Sequence, residues 1–96
     1  MRIIDWDLLK EAIDYIQAEP ALARYEIRRN YFPYFYNKDV AFIISILRNI
    51  EGIITLTVIK REGDDQGKIL DAEMFVGEPE EFYSLITKAI DWITAR

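Results

Sequence analysis

Residues 8–19 read Leu-Leu-Lys-Glu-Ala-Ile-Asp-Tyr-Ile-Gln-Ala-Glu and residues 85–96 read Leu-Ile-Thr-Lys-Ala-Ile-Asp-Trp-Ile-Thr-Ala-Arg, with six of twelve positions identical. In a helix, residues three and four positions apart lie on one face. Each segment therefore predicts an amphipathic helix whose apolar stripe needs a surface to cover it. The stripes comprise Leu9, Ala12, Ile13 and Ile16 in the first helix and Phe82, Leu85, Ile86, Ala89, Ile90 and Ile93 in the second.

Capping residues set the limits of these helices. We expect the first to run from Asp5, as N-cap, to Ala18, because Pro20 disfavours helical geometry in the residue before it and cannot donate the next hydrogen bond. Pro79 suits the first position of the closing helix, since its ring fixes a helical φ.

A hairpin is predicted between the helices. Residues 53–60 and 68–76 have strand character, and the residues between them, Glu-Gly-Asp-Asp-Gln-Gly at 62–67, are typical of turns. In the second arm two sets of side chains alternate. We expect Leu70, Ala72, Met74 and Val76 to form the inner face and Ile69, Asp71, Glu73 and Phe75 the outer one.

Two further segments are ambiguous. Residues 22–29 alternate like a half-buried strand, although a short helix opened by Pro20 competes. Residues 40–47 fit helical spacing as well, but β-branched residues and apolar character on both faces favour a buried central strand. The sequence thus predicts one α+β domain over residues 1–96. It would have two layers, with an antiparallel sheet of three to four strands and both terminal helices packed on one face.

The composition narrows the classes of function. The chain has no histidine and no cysteine, so His-dependent catalysis, thiol chemistry and disulfides are excluded. The net charge is −5, and residues 49–96 carry ten acidic against five basic side chains, so a uniformly basic surface for nucleic acid is not expected. The longest nearly apolar run, residues 40–47, is too short to span a membrane, and the first residues have no signal-peptide character. We therefore expect a cytoplasmic protein with no cofactor and no metal.

The densest local feature is the aromatic segment Tyr-Phe-Pro-Tyr-Phe-Tyr at residues 31–36, which follows two arginines. Tyr and Arg are favoured at protein interfaces because each offers a large contact area with a polar tip. In the alternative interpretation, alternate rings fill the core and the others line a strand or loop. The predicted partner-binding residues are Arg28, Arg29, Tyr31, Phe32, Tyr34 and Tyr36.

Three residues form a secondary set of candidates. Asp71 and Glu73 lie two apart on one strand face, where their carboxylates could share a proton or bind a cation, although a solvated strand face is the better explanation. Trp92 and Tyr15 occupy equivalent places on the edge of the two helical stripes, where one of them could stay exposed as an anchor for a partner.

These features favour a small non-catalytic interaction protein of the inhibitor, immunity, adaptor or chaperone type, with another protein as partner. One alternative is an obligate homodimer that associates through the aromatic segment or an open sheet edge. A second is a small enzyme that uses a carboxylate or a tyrosine, although no motif places a nucleophile beside a base.

Overall fold

The computed structural model describes residues 1–95 and has α+β architecture. Its strands are β1 (Arg2–Ile4), β2 (Glu26–Arg29), β3 (Pro33–Asn37), β4 (Val40–Asn49), β5 (Ile54–Glu62) and β6 (Ile69–Gly77). Its helices are α1 (Trp6–Gln17) and α2 (Phe82–Thr94), and one turn of 3₁₀ helix covers Pro20–Leu22 and another Pro79–Glu81.

All six strands belong to one antiparallel sheet with the order β2-β3-β4-β5-β6, and β1 pairs with the end of β4. The prediction of three to four strands was therefore too low. Strand β3 was not predicted because Tyr34, Phe35 and Tyr36 place aromatic side chains on both faces, so the segment has no apolar–polar alternation. Strand β1 was not predicted because it has only three residues and forms a strand only by pairing with β4, which is distant in the sequence.

The ambiguous segment at residues 40–47 is a strand, as expected. In β4 the side chains of Phe42, Ile44 and Ile46 are fully buried, while Ile43 and Leu47 on the opposite face are half-buried. Apolar residues on both faces are typical of a strand with neighbours on both sides. In the other ambiguous segment both interpretations hold in part, since a 3₁₀ turn at Pro20–Leu22 precedes the shorter strand β2.

The hairpin of β5 and β6 is confirmed, but the predicted inner face of β6 is wrong. Phe75 stands opposite buried Leu56 and packs against the core, whereas Met74 and Val76 point away and are 54% and 57% exposed. Asp71 lies on the same side as Phe75, directly opposite Lys60. Because β6 is an edge strand, this side is only partly covered, so acidic residues remain in solvent beside the half-buried ring of Phe75.

The core joins the stripes of both helices to one set of alternating strand side chains. All ten predicted stripe residues are buried. They cluster with Phe42, Ile44, Ile46, Leu56 and Val58, which we call the inner face of the sheet. Helix α1 contacts β4, and α2 contacts β5, β6 and α1.

The predicted cap of α1 is present. The Asp5 carboxylate accepts a hydrogen bond of 3.0 Å from the amide of Leu8, and its second oxygen lies 3.5 Å from Nε of Arg48. The Asp5 amide donates to the carbonyl of Ile46. The start of α1 is therefore fixed to the end of β4, which places Trp6, the first residue of the helix, beside the sheet.

Candidate functional site

Strand β3 divides the aromatic segment between the core and the surface. Phe35 pairs with Phe42 on the inner face and is only 1% exposed, so it is a core residue. Tyr34 is also buried, although it points to the opposite face, and Tyr36 is half-buried there. The core interpretation therefore holds for Phe35 and Tyr34, and a contact surface stays a prediction for the exposed part of the segment.

The exposed rings lie just before β3 and gather around Trp6. The ring of Phe32 stacks on the indole of Trp6, with centroids 5.9 Å apart and planes at 28°. Tyr31 meets Trp6 edge-on at 5.7 Å and Phe32 at 4.8 Å. Tyr31 is 64% exposed and Trp6 40%. These three residues form what we call the ring cluster.

Trp6 is the residue that the sequence prediction missed. Its spacing from Leu9 and Ile13 matches the buried stripe of α1, so periodicity alone assigns it to the core. Its exposure and its contact with Phe32 depend on the position of the β2–β3 connection. No local sequence pattern predicts that position. The only available signal was its position in the first turn, at the end of the stripe.

The two predicted arginines differ in their surroundings. Arg28 donates a 3.0 Å hydrogen bond from Nε to Glu26, and its guanidinium lies 4.1 Å from the ring centre of Tyr36. The guanidinium of Arg29 lies 5.3 Å from the centre of the Trp6 ring, where a cation–π attraction operates. Arg29 therefore adjoins the ring cluster, whereas Arg28 and Tyr36 form a separate group with Glu26.

A cleft of about 390 Å³ opens beside the ring cluster, between α1 and the edge of the sheet. Its apolar lining includes Leu9, Ile13, Ile27 and Pro33, and its charged lining comprises Asp7, Lys10, Asp14 and Arg29. Lys10 and Asp14 approach each other to 3.7 Å across one turn of α1. Such a cleft can take an apolar side chain and place charged groups around its mouth.

A second cleft of about 300 Å³ lies on the other side of the ring cluster. Its lining comprises Asn30, Tyr31 and Phe32, the strand residues Ile43, Ile59 and Arg61, and Asp65 and Gln66 of the β5–β6 turn. Burial and the nearby carboxylate of Asp65 raise the pKa of Tyr34 above its usual 10.0, and Arg28 opposes this shift. Tyr34, which pairs with Arg28 of β2, is thus also close to the carboxylate of the turn residue Asp65.

The secondary candidates lie elsewhere. Asp71 and Glu73 are exposed, and their carboxylates accept hydrogen bonds from the amides of Ala72 and Met74. Neither residue lines either of the two clefts described above. Trp92 is 9% exposed and packs edge-on against Phe42 in the core. Of the equivalent pair, Tyr15 is the one left half-exposed.

Two further properties of residues 1–95 concern metals and membranes. No three or more His, Cys, Asp or Glu side chains in this range are grouped so that they could hold a metal ion. No helix in this range has the length and apolar character needed to cross a membrane. Compared with known proteins, the chain matches no protein-family model, no curated protein and no solved structure.

Proposed function

We propose that this chain is a non-catalytic interaction protein that binds another protein through the ring cluster and Arg29. The observation that carries the proposal is the cluster itself: three mutually packed rings at the surface, two of them 40% and 64% exposed, with a guanidinium over one. Aromatic residues and arginine dominate the energetics of protein interfaces. The proposal takes both helices to lie on one face of the sheet, as their common core with the inner face supports.

The cluster is well prepared for binding. An aromatic ring has only two side-chain torsions, so it loses little conformational entropy when a partner covers it. Contacts among Trp6, Tyr31 and Phe32 restrict these torsions further before any partner arrives. Preorganisation of this kind increases affinity because less of the interaction energy is spent on ordering.

The cleft beside the cluster indicates what a partner would present. Ile13, Ile27 and Pro33 can contact an apolar side chain inserted from above. At the mouth, Lys10 and Arg29 carry positive charge and Asp7 and Asp14 negative charge. A protein segment with one apolar residue flanked by charged ones would therefore complement both parts of the cleft.

The proposal is tested by capture with immobilised full-length chain in a lysate of the source organism, followed by mass spectrometry. The comparison is between wild type, Tyr31→Ser, Arg29→Ala and Tyr15→Ser. Tyr15 is a matched control because it is a half-exposed tyrosine outside the cluster. We expect a partner that is retained by wild type and Tyr15→Ser and lost with the other two variants.

The captured partner is then purified and titrated by calorimetry. Tyr31→Ser and Arg29→Ala should each weaken its binding about ten-fold or more, as expected of interface hot spots. Unchanged affinity in both variants would overturn the proposal, because a ring cluster at the interface cannot lose its most exposed ring and its cation without effect.

A further inference from the structure

The face of the sheet opposite the inner face, which we call the outer face, is largely apolar and uncharged. Its central side chains include Ile43, Leu47, Thr57, Ile59, Met74 and Val76. Met74 and Val76 are more than half exposed, and Ile43, Leu47, Thr57 and Ile59 are half-buried among their neighbours. Neighbouring apolar side chains that remain partly exposed are a common mark of an interaction surface.

Charge on this face is confined to its margins, where Arg2 of β1 and Asp65 of the β5–β6 turn also lie. Arg28 and Glu26, on edge strand β2, are paired at 3.0 Å. Arg61, near the end of β5, donates a 2.6 Å hydrogen bond to the carbonyl of Gly67. No carboxylate of β3, β4, β5 or β6 projects from the outer face, since Asp71 and Glu73 lie on the opposite side of β6.

This distribution of charge indicates which partner binds the outer face. A chain of net charge −5 repels its own copy wherever carboxylates would meet. The centre of the outer face is a surface where two copies can approach without that repulsion, and this centre offers no charge that would favour a partner of opposite sign. An uncharged apolar face is complementary to itself, as a two-fold interface requires.

The dimensions of the face are also sufficient. Strands β4, β5 and β6, of nine to ten residues, extend about 30 Å each, and the shorter β2 and β3 about 13 and about 17 Å. At about 4.8 Å of width per strand, the five cover about 600 Å² in projection. The molecule measures 38 × 26 Å along its two longer axes, in keeping with these figures. This projected area is of the same order as the roughly 800 Å² that each partner buries in a stable interface.

We infer that the outer face binds a second copy of this chain, so that two sheets pack face to face about 10 Å apart around a two-fold axis. The helices of each copy would then lie on the outside of a four-layer dimer. This inference rests on residues outside the ring cluster and goes beyond the proposed function, so either can fail without the other.

The test is sedimentation of the full chain from about 1 to about 200 µM, a range that detects micromolar association. Wild type should reach the mass of a dimer, twice 11.3 kDa. Met74→Lys and Ser45→Lys should each raise the dissociation constant ten-fold or more, because each would bury a charge without a partner in the interface. The control, Tyr15→Lys, adds the same charge to the helical layer and should leave association unchanged.

Circular dichroism and thermal unfolding show whether each variant folds, and Val76→Lys, at a 57% exposed position, replaces any variant that does not. Wild type that remains a monomer at 200 µM overturns the inference. So does a dimer that persists in both Met74→Lys and Ser45→Lys. A dimer paired through the free edge of β6 would survive Ser45→Lys, since Ser45 lies on central strand β4, and that result also overturns it.

Discussion

The indole of Trp6 stacks on the ring of Phe32 at a centroid distance of 5.9 Å, so the first residue of α1 touches the connection between β2 and β3. The carboxylate that caps α1 belongs to the preceding residue, Asp5, whose amide donates to the carbonyl of Ile46 in the sheet. The same few residues therefore begin the helix, anchor it to β4 and orient the exposed rings. Formation of the ring cluster depends on the whole fold, not on the aromatic segment alone.

A double-mutant cycle will measure how strongly these two rings are coupled. We expect Trp6→Ala and Phe32→Ala each to lower the free energy of unfolding, and the double variant to lose about 0.5–1.5 kcal/mol less than the sum, as for other aromatic pairs. Urea unfolding of the four proteins provides the measurement. Strictly additive losses would show that the stacked geometry carries no energy of its own.

The two tryptophans should be separable by fluorescence. Trp6 is 40% exposed and Trp92 only 9%, so acrylamide will quench the emission of Trp6 far more than that of Trp92. We expect Trp6→Phe to leave a blue-shifted, quench-resistant emission and Trp92→Phe to leave a red-shifted one. Equal quenching in the two variants would contradict the burial of Trp92 against Phe42.

Local patterns predicted the helices and the hairpin because the information they need lies within each segment. The stripes of α1 and α2 repeat at helical spacing, and the turn at residues 62–67 carries Gly63 with a positive φ of 72°, which side chains other than glycine rarely adopt. Strand β4 was identified from its β-branched residues despite a competing helical pattern.

Patterns failed where the answer depends on a distant neighbour. Strand β1 exists only because it pairs with β4, and the face of β6 is set by its register with β5, which a shift between Lys60 and Arg61 interrupts. The candidate site follows the same division. Arg29, Tyr31 and Phe32 stand out in the sequence, whereas Trp6 joins them through a contact that only the fold creates.

The observed orientation of β6, opposite to the one predicted from sequence, has a consequence for the free energy of unfolding. Phe75 packs against the core and Met74 is 54% exposed. Truncating a partly buried phenylalanine should cost about 2 kcal/mol, somewhat less than a fully buried one, whereas truncating an exposed methionine should cost less than about 0.5 kcal/mol. Chemical unfolding of Phe75→Ala and Met74→Ala, below the concentration at which any dimer forms, checks the order. The opposite order would restore the face predicted from sequence.

The contact between Tyr83 and Glu11 links the two helices through a 2.6 Å hydrogen bond from the phenol to the carboxylate. This hydrogen bond and the charge of Glu11 raise the pKa of Tyr83 above its usual 10.0. We expect Glu11→Gln to move one tyrosine to a lower pKa in a spectrophotometric titration of tyrosinate absorbance. Tyr83→Phe should remove that same transition, and a titration curve unaltered by Glu11→Gln would show that the contact is absent in solution.

The raised pKa of Tyr34 predicts how the free energy of unfolding decreases in alkali. Burial, followed by the charge of Asp65, raises its pKa in the folded chain above the usual 10.0. Between the unfolded and the folded pKa, the unfolded chain has lost this proton while the folded chain keeps it, so the free energy of unfolding decreases as pH rises. The stabilisation is complete below the unfolded pKa and disappears through the folded one.

Urea unfolding from pH 9 to pH 11 should therefore show a fall in stability that is smaller in Tyr34→Phe. Asp65→Asn should move the Tyr34 transition to lower pH and reduce the same fall, because the carboxylate that disfavours tyrosinate is gone. An equal fall in wild type and Tyr34→Phe would place the Tyr34 hydroxyl in solvent, away from Asp65.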